Sequence, residues 1–333
     1  MSLKEVYDVV ADTEELKWFF DHVIQKPQVN ESYSAVFVSR HKKLTKEQRE
    51  ELGLVRKESE FLATVTFKLR AIKDAQRKDD PEIWTFDQFL KTLRKLEVNK
   101  LTYTTNKGEP IPTSTISTIF YVNPCDDMKV CRKFIDEYND VTEAISKAML
   151  NGKSISDNYQ SYQWFGKAES TIKHFKANQK GTKYRLDYDL DVPAWWKAGN
   201  RDIILPEIND ETIGPDCPKF VGSKRATINY YEVMKYRLNH YFGKGNYVIV
   251  DTSGGYHILV RVSSIKEDPH RFCTDINNLY YYALFGGEKA YRDENGNEKF
   301  ECNINDSQIP GLPLPGTYQY NRPVVVLNKE DFE

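Results

Sequence analysis

What this sequence lacks narrows it first. No apolar run reaches the ~20 residues that a membrane-crossing helix needs. The first residues, MSLKEVYDVVADTEE, carry neither the basic nor the apolar region of a signal peptide. An intracellular protein with no membrane partner is the expectation. Cysteine is scarce: Cys125, Cys131, Cys217, Cys273 and Cys302 are odd in number and form no CxxC pair, which fits reduced thiols rather than a disulfide framework. Cys125 with Cys131, or His270 with Cys273, supplies at most half a zinc site, and the other half is not evident. Net charge is only −2, so the chain as a whole is no cationic nucleic-acid binder and any basic surface must be local. Repeats and low-complexity tracts are missing too, which excludes solenoids and disordered linkers as the main architecture.

What is present suits a folded protein. The chain has 333 residues, 40% of them hydrophobic and 29% charged, enough for one large domain or two medium ones. Along it, LKEVYDVVADTEELKWFFDHVI has helical spacing, YSAVFVS reads as a strand and LTKEQREEL as a short polar helix. FLATVTFKL is a strand, TFDQFLKTLRKLE a helix and STIFYV a strand, and a long helix runs from about Asp127 to Leu150. Alternation of this kind predicts an α/β, or α+β, layer architecture. Polarity rises between NGKSISDNYQ and NQKGTK, which sets the expected domain boundaries at 1–150 and 151–333. The runs YSAVFVS, FLATVTFKL and STIFYV are too apolar for a flexible arm, so the N-terminal part is expected to pack on the rest.

The second half carries the chemistry. In KYRLDYDLDV, strand alternation puts Leu186, Tyr188 and Leu190 on one face and Asp187, Asp189 and Asp191 on the other. Aspartate is disfavoured in strands and like charges on one face repel, so something must compensate. Hard carboxylate oxygens two residues apart can converge on Mg²⁺ or Mn²⁺; the plainer alternative is a solvated edge strand with an acidic outer face. Further on, VIVDTSGGYHILVRV is a hairpin. Gly254 and Gly255 permit close approach of backbone amides to an anion, Ser253 adds a hydroxyl, and alternation places His257, Leu259 and Arg261 on one face. A triphosphate grip and an ordinary turn followed by a packing histidine both fit that pattern. Asp306 closes the CNIN run ahead of a proline-glycine segment, either as a third carboxylate or as a turn-initiating aspartate.

Taken in order, these stretches resemble the motifs of the archaeo-eukaryotic primase superfamily. DYDLD followed by Val192 and Pro193, then SGG leading to His257, then Asp306 upstream of Leu314–Thr317 (LPGT), is similar to viral and plasmid primase-polymerases and to the polymerase domains of bacterial end-joining ligases. The resemblance spans roughly Lys183 to Leu327. It implies a catalytic core with an RRM-like mixed sheet and template-directed nucleotidyl transfer on single-stranded DNA by two divalent cations, Mg²⁺ or Mn²⁺. Asp189 and Asp191, with Asp306, would be the ligands; the extra Asp187 is a ligand, a supporting group or neither. Ser253, Gly254, Gly255 and His257 would meet the triphosphate of an incoming nucleoside triphosphate. An arginine common near the third motif is absent from LPLPGT, leaving Arg261 or Arg322 as substitutes. The implied setting is replication of a virus or plasmid in a host cytoplasm, with a replicative helicase as a further partner. Lys224, Arg225, Lys235, Arg237 and Lys244 could track a template backbone, and tyrosines such as Tyr280, Tyr281 and Tyr282 could stack on bases, although core packing is the commoner fate of tyrosine. Two rivals share the residues: a catalytically inactive origin- or DNA-binding replication module, and a metal-dependent phosphoesterase.

Overall fold

The computed structural model describes residues 5–41, 44–54, 60–71, 82–152, 181–192, 197, 200–203, 226–285, 301–305 and 310–332. In chain order its main elements are α1 (Thr13–His22), β1 (Glu31–Ser39), α2 (Lys46–Leu52), β2 (Glu60–Lys68), β3 (Arg70–Ala71), β4 (Glu82–Ile83), α3 (Phe86–Leu93), β5 (Ile116–Tyr121), β6 (Cys125–Asp126) and α4 (Asp127–Leu150). Then come β7 (Arg185–Asp191), β8 (Asn200–Ile203), β9 (Ala226–Asn229), α5 (Tyr230–Phe242), β10 (Tyr247–Asp251), β11 (Gly255–Arg261), α6 (His270–Phe285) and β12 (Glu301–Asn305). The short strands β13 (Gly311–Pro313), β14 (Tyr318–Gln319), β15 (Arg322–Pro323) and β16 (Val325–Val326) close the chain. No helix among the described residues is long and apolar enough to cross a membrane.

The chain divides into two compact units, one of Met1–Val10, Ile24–Lys183 and Ser307–Leu312, the other of Ala11–Val23, Tyr184–Asp306 and Pro313–Glu333. The main spans of the two units meet at Lys183/Tyr184, and α1 belongs with the second unit. The first unit is built on β1, which pairs antiparallel with β2, β5 and β6. Tyr33, Phe67, Phe89 and Phe120 form its aromatic core, with Phe67 and Phe89 stacked 4.4 Å apart.

The expected first helix is shorter than its apolar spacing suggests. Asp12 has extended backbone and accepts from the amides of Glu14 and Glu15, so α1 starts only at Thr13. Its place in the second unit follows from contacts with Gly316, Val326, Lys329 and Arg185 there. The Ala11 and Asp12 amides donate to the Gly316 carbonyl, Glu15 accepts from the Val326 amide at 2.8 Å and ion-pairs with Lys329, and the C-terminal carbonyls of His22 and Val23 accept from Arg185. A guanidinium at a helix C-terminus is the favourable polarity for the helix dipole.

In the second unit five strands form one sheet in the order β12-β7-β11-β10-β16, antiparallel at every pairing. The structure is thus α+β with antiparallel sheets, where a mixed sheet was expected. Apart from β8 and β9, which pair with each other as a separate ribbon between β7 and α5, chain order runs β7, α5, β10, β11, α6, β12, with β7 and β11 at the centre. Leu186, Tyr188, Leu190, Ile249, Tyr256, Ile258 and Val260 pack from one sheet face against Met234, Leu238 and Phe242 of α5 and Phe272 and Ile276 of α6. Burying side chains of this size contributes about 1.5–3 kcal/mol each. Tyr7, Tyr33, Tyr188 and Tyr247 are core residues, as the commoner fate of tyrosine predicts. Burial pushes the Tyr188 hydroxyl up, and it donates to the Pro269 carbonyl at 2.9 Å. On the same side Cys273 and Cys302 stand with sulfurs 3.5 Å apart, and that hydrogen bond together with burial pushes the Cys302 thiol well up.

Candidate functional site

The apolar face of β7 leaves its other face to the acids. Because β7 is central and antiparallel to β11, Asp189 lies opposite His257 and Asp191 opposite Gly255, while on the other side Asn303 faces Asp189 and Asn305 faces Asp187. The face is graded. Asp187 is fully buried, whereas the Asp189 side chain is 52% exposed and Asp191 is exposed. His257 joins the two zones. Its Nδ1 lies 3.0 and 3.1 Å from the two oxygens of Asp187, and its Nε2 lies 3.7 Å from Asp189 Oδ1. Imidazole and carboxylates therefore come together, and Asp187 spends both oxygens on the ring.

The SGG turn is built differently from the expected anion cradle. The Ser253 amide donates to Gln319 Oε1 at 2.8 Å, and the Gly254 carbonyl accepts from the Val192 amide at 3.2 Å. Gly255 is required by the sheet: a Cβ there would stand 1.8 Å from the Leu190 carbonyl oxygen and 3.0 Å from Asp191 Cα. Its lack of a side chain serves the approach of β7 to β11. The Gly255 carbonyl accepts from the amide and hydroxyl of Thr252 and from Lys197 Nζ at 2.9 Å.

Lys197 was not singled out by the sequence. Its ammonium bonds the Thr252 carbonyl, ion-pairs with Asp251 and lies 4.7 Å from the Tyr256 ring centroid. All three N–H donors are thus committed to fixing the turn. Lys197→Met is expected to destabilise the second unit by about 1–2 kcal/mol. Urea unfolding checks this through a lowered midpoint with an unchanged slope; an unaltered midpoint would mean that the turn holds itself. Gln319 was missed as well. It sits in the β14–β15 hairpin, where it pairs with Arg322 across two left-handed residues, Tyr320 and Asn321. Arg322 is exposed, on the hairpin that Gln319 ties to the SGG turn.

Other expected site residues fall elsewhere. Arg261 lies at the far end of β11 from the turn, opposite Arg185 and four residues from His257, roughly 13 Å along a strand. Lys235 is paired with Glu330 at 2.5 Å and Asp331 at 3.4 Å, and the largely buried Arg237 is paired with Asp275 at 3.2 Å. Both cations are spent inside the unit rather than presented to a template, whereas Lys244 is exposed. Asp306, Lys224 and Arg225 lie outside the described residues, as do the side chains of Tyr280, Tyr281 and Tyr282.

Among the described residues no three His, Cys, Asp or Glu side chains stand together as a ready-made metal cage. Asp189 and Asp191 offer hard oxygens at the open end of the face, the donor chemistry that suits Mg²⁺ or Mn²⁺. Comparison of the chain with protein-family models, with curated proteins and with solved structures finds no match.

Proposed function

We propose that this chain is a template-directed nucleotidyltransferase of the primase-polymerase type, acting on single-stranded DNA with nucleoside triphosphates and divalent cations. One observation carries the reading above the rest: antiparallel pairing sets His257 opposite Asp189, with Asp191 beside the SGG turn, on one face of the two central strands. The fold half of the proposal rests on the strand-helix-strand-strand-helix-strand connectivity with β7 and β11 central, a split arrangement that accords with an RRM-like core. The order of the three motifs along the chain supplies the remainder.

In this reading Asp189 and Asp191 hold the cations, with Asp306 as the third carboxylate. Bound divalent cations would supply a lowered pKa for the attacking 3′-hydroxyl and charge neutralisation at the leaving pyrophosphate. His257 contacts the nucleotide's phosphates from the neighbouring strand. Lys197, Gln319 and Gly255 hold the turn that fixes where the nucleotide lies, and such positioning supplies a large share of rate enhancement. Single-stranded template, nucleotides and a replicative helicase are the partners this assigns.

The test is to incubate the protein with single-stranded template, Mn²⁺ or Mg²⁺ and labelled nucleotides, with and without a primer. Extension or new strands support the proposal. Cleavage of the DNA without incorporation would make the chain a phosphoesterase, and retention of DNA with neither would make it a binding module. A second expectation concerns one residue: His257→Ala should weaken nucleotide binding by about 1.5–3 kcal/mol, the worth of one charge-assisted contact, and leave template affinity unchanged. Calorimetric titration of both ligands measures this, and an unaltered nucleotide affinity would remove His257 from the site.

A further inference from the structure

The buried end of the acidic face raises a separate question, why a carboxylate stands where no water reaches it. Asp187 lies on the central strand with its side chain 0% exposed. An unpaired carboxylate in such a place is costly. Its partner is His257, reached diagonally: the ring belongs opposite Asp189 in register, yet Nδ1 turns back one step along β7 to lie 3.0 and 3.1 Å from the two Asp187 oxygens. Nδ1 therefore sits astride both carboxylate oxygens, a placement in which one N–H can serve the pair.

We propose that Asp187 is the positioning residue of His257: it keeps a proton on Nδ1 and thereby turns Nε2 toward Asp189 and the open end of the face. The arrangement is the one by which an outer carboxylate fixes the tautomer and ring angle of a working histidine. It separates three aspartates of one strand into two jobs. Asp189 and Asp191 lie at the exposed end of the face, whereas both oxygens of Asp187 lie behind an imidazole while the ring is in place. Nδ1 carries its proton in either charge state of the ring. Nε2 is then the atom that faces the open site, as a lone pair in the neutral ring and as a donor in the protonated one.

The contact and tautomer are independent of what the protein does; only the consequence for nucleotide binding rests on the nucleotidyl-transfer reading. ¹⁵N-histidine NMR at pH about 8.5, above the ordinary histidine range, reads the tautomer directly. The expected result is a protonated Nδ1 and an unprotonated Nε2 at His257 in the parent. Asp187→Asn, whose amide oxygen still accepts, should retain that form, and the near-isosteric Asp187→Leu should lose it. A parent ring protonated on Nε2 overturns the proposal whether or not the variants fold, and so does an unchanged tautomer in a folded Asp187→Leu. A companion titration uses Mn²⁺ alone and then Mn²⁺ with a nucleoside triphosphate. Asp187→Leu should weaken nucleotide binding about 10-fold, with Asp187→Asn restoring most of it, and should leave Mn²⁺ affinity unchanged. Loss of Mn²⁺ binding in that variant would make Asp187 a ligand and contradict the proposal. Failure of the parent to bind any nucleotide, with the tautomer as expected, would sink the nucleotidyl-transfer reading and leave the positioning role standing.

Discussion

The Asp189→Ala, Asp191→Ala double variant is expected to fold normally and to incorporate no nucleotide. Both side chains lie at the exposed end of the acidic face, where substitutions usually change stability by no more than about 0.5 kcal/mol. Removing like charges two residues apart on one strand relieves repulsion, so without metal the variant should be at least as stable as the parent. With Mn²⁺ and a nucleotide present the comparison should reverse. The parent's thermal midpoint should rise by linkage to binding, and the variant's should not. If the two carboxylates supply several kcal/mol of cation-dependent transition-state stabilisation, their loss lowers the rate by roughly a thousandfold or more. Thermal melts and incorporation measured on the same preparations separate this from misfolding. Full incorporation by the variant would contradict both the mechanism and the resemblance behind it.

Gly255→Ala is expected to have the largest effect on folding. The added methyl would meet the Leu190 carbonyl oxygen at 1.8 Å, and the clashing atom is backbone in the central strand, so no side chain can swing aside. Relief requires parting β7 from β11 where Gly255 pairs with Asp191. Overpacking against backbone that cannot move aside should cost about 3 kcal/mol or more, the upper end of such effects. Domains are stable by only about 5–15 kcal/mol, so the substitution should remove a large fraction of the second unit's stability. Urea unfolding or loss of soluble protein measures the effect, and a midpoint within experimental error of the parent's would show that the strands are not joined here as described. The same substitution at Gly108, which has open space around it, meets no clash and serves as a control for handling, although its left-handed backbone adds some strain of its own.

Much of this architecture was legible in the sequence because it depends on local spacing. The period-two pattern of RLDYDLD needs no partner to put three leucine and tyrosine side chains on one face and three acids on the other, and α4 and β5 follow from equally local signals. The hairpin from Tyr247 to Arg261 is likewise continuous in the chain. What was hidden is what distant segments bring. Lys197 reaches Asp251 across 54 positions, and Gln319 reaches Ser253 across 66, with nothing in PAWWK or TYQYN to announce either contact. Gly255 was visible, but its cause was not: a glycine beside a serine suggests an anion, whereas the deciding neighbour is a carbonyl on another strand. Lys235 and Arg237 looked like a surface track since their carboxylate partners lie 38 or more positions away. The place of α1 in the second unit is of the same kind, as Glu15 bonds Val326 across 311 positions.

The most direct measurement is template-dependent incorporation. Four homopolymeric single-stranded templates, each with a complementary primer and Mn²⁺, are offered every labelled nucleotide in turn. The account predicts that each template directs incorporation of its complement in large excess over the other three, and that the signal vanishes in the Asp189→Ala, Asp191→Ala variant. Incorporation that ignores the template base, or none with any nucleotide by the folded parent, would contradict it.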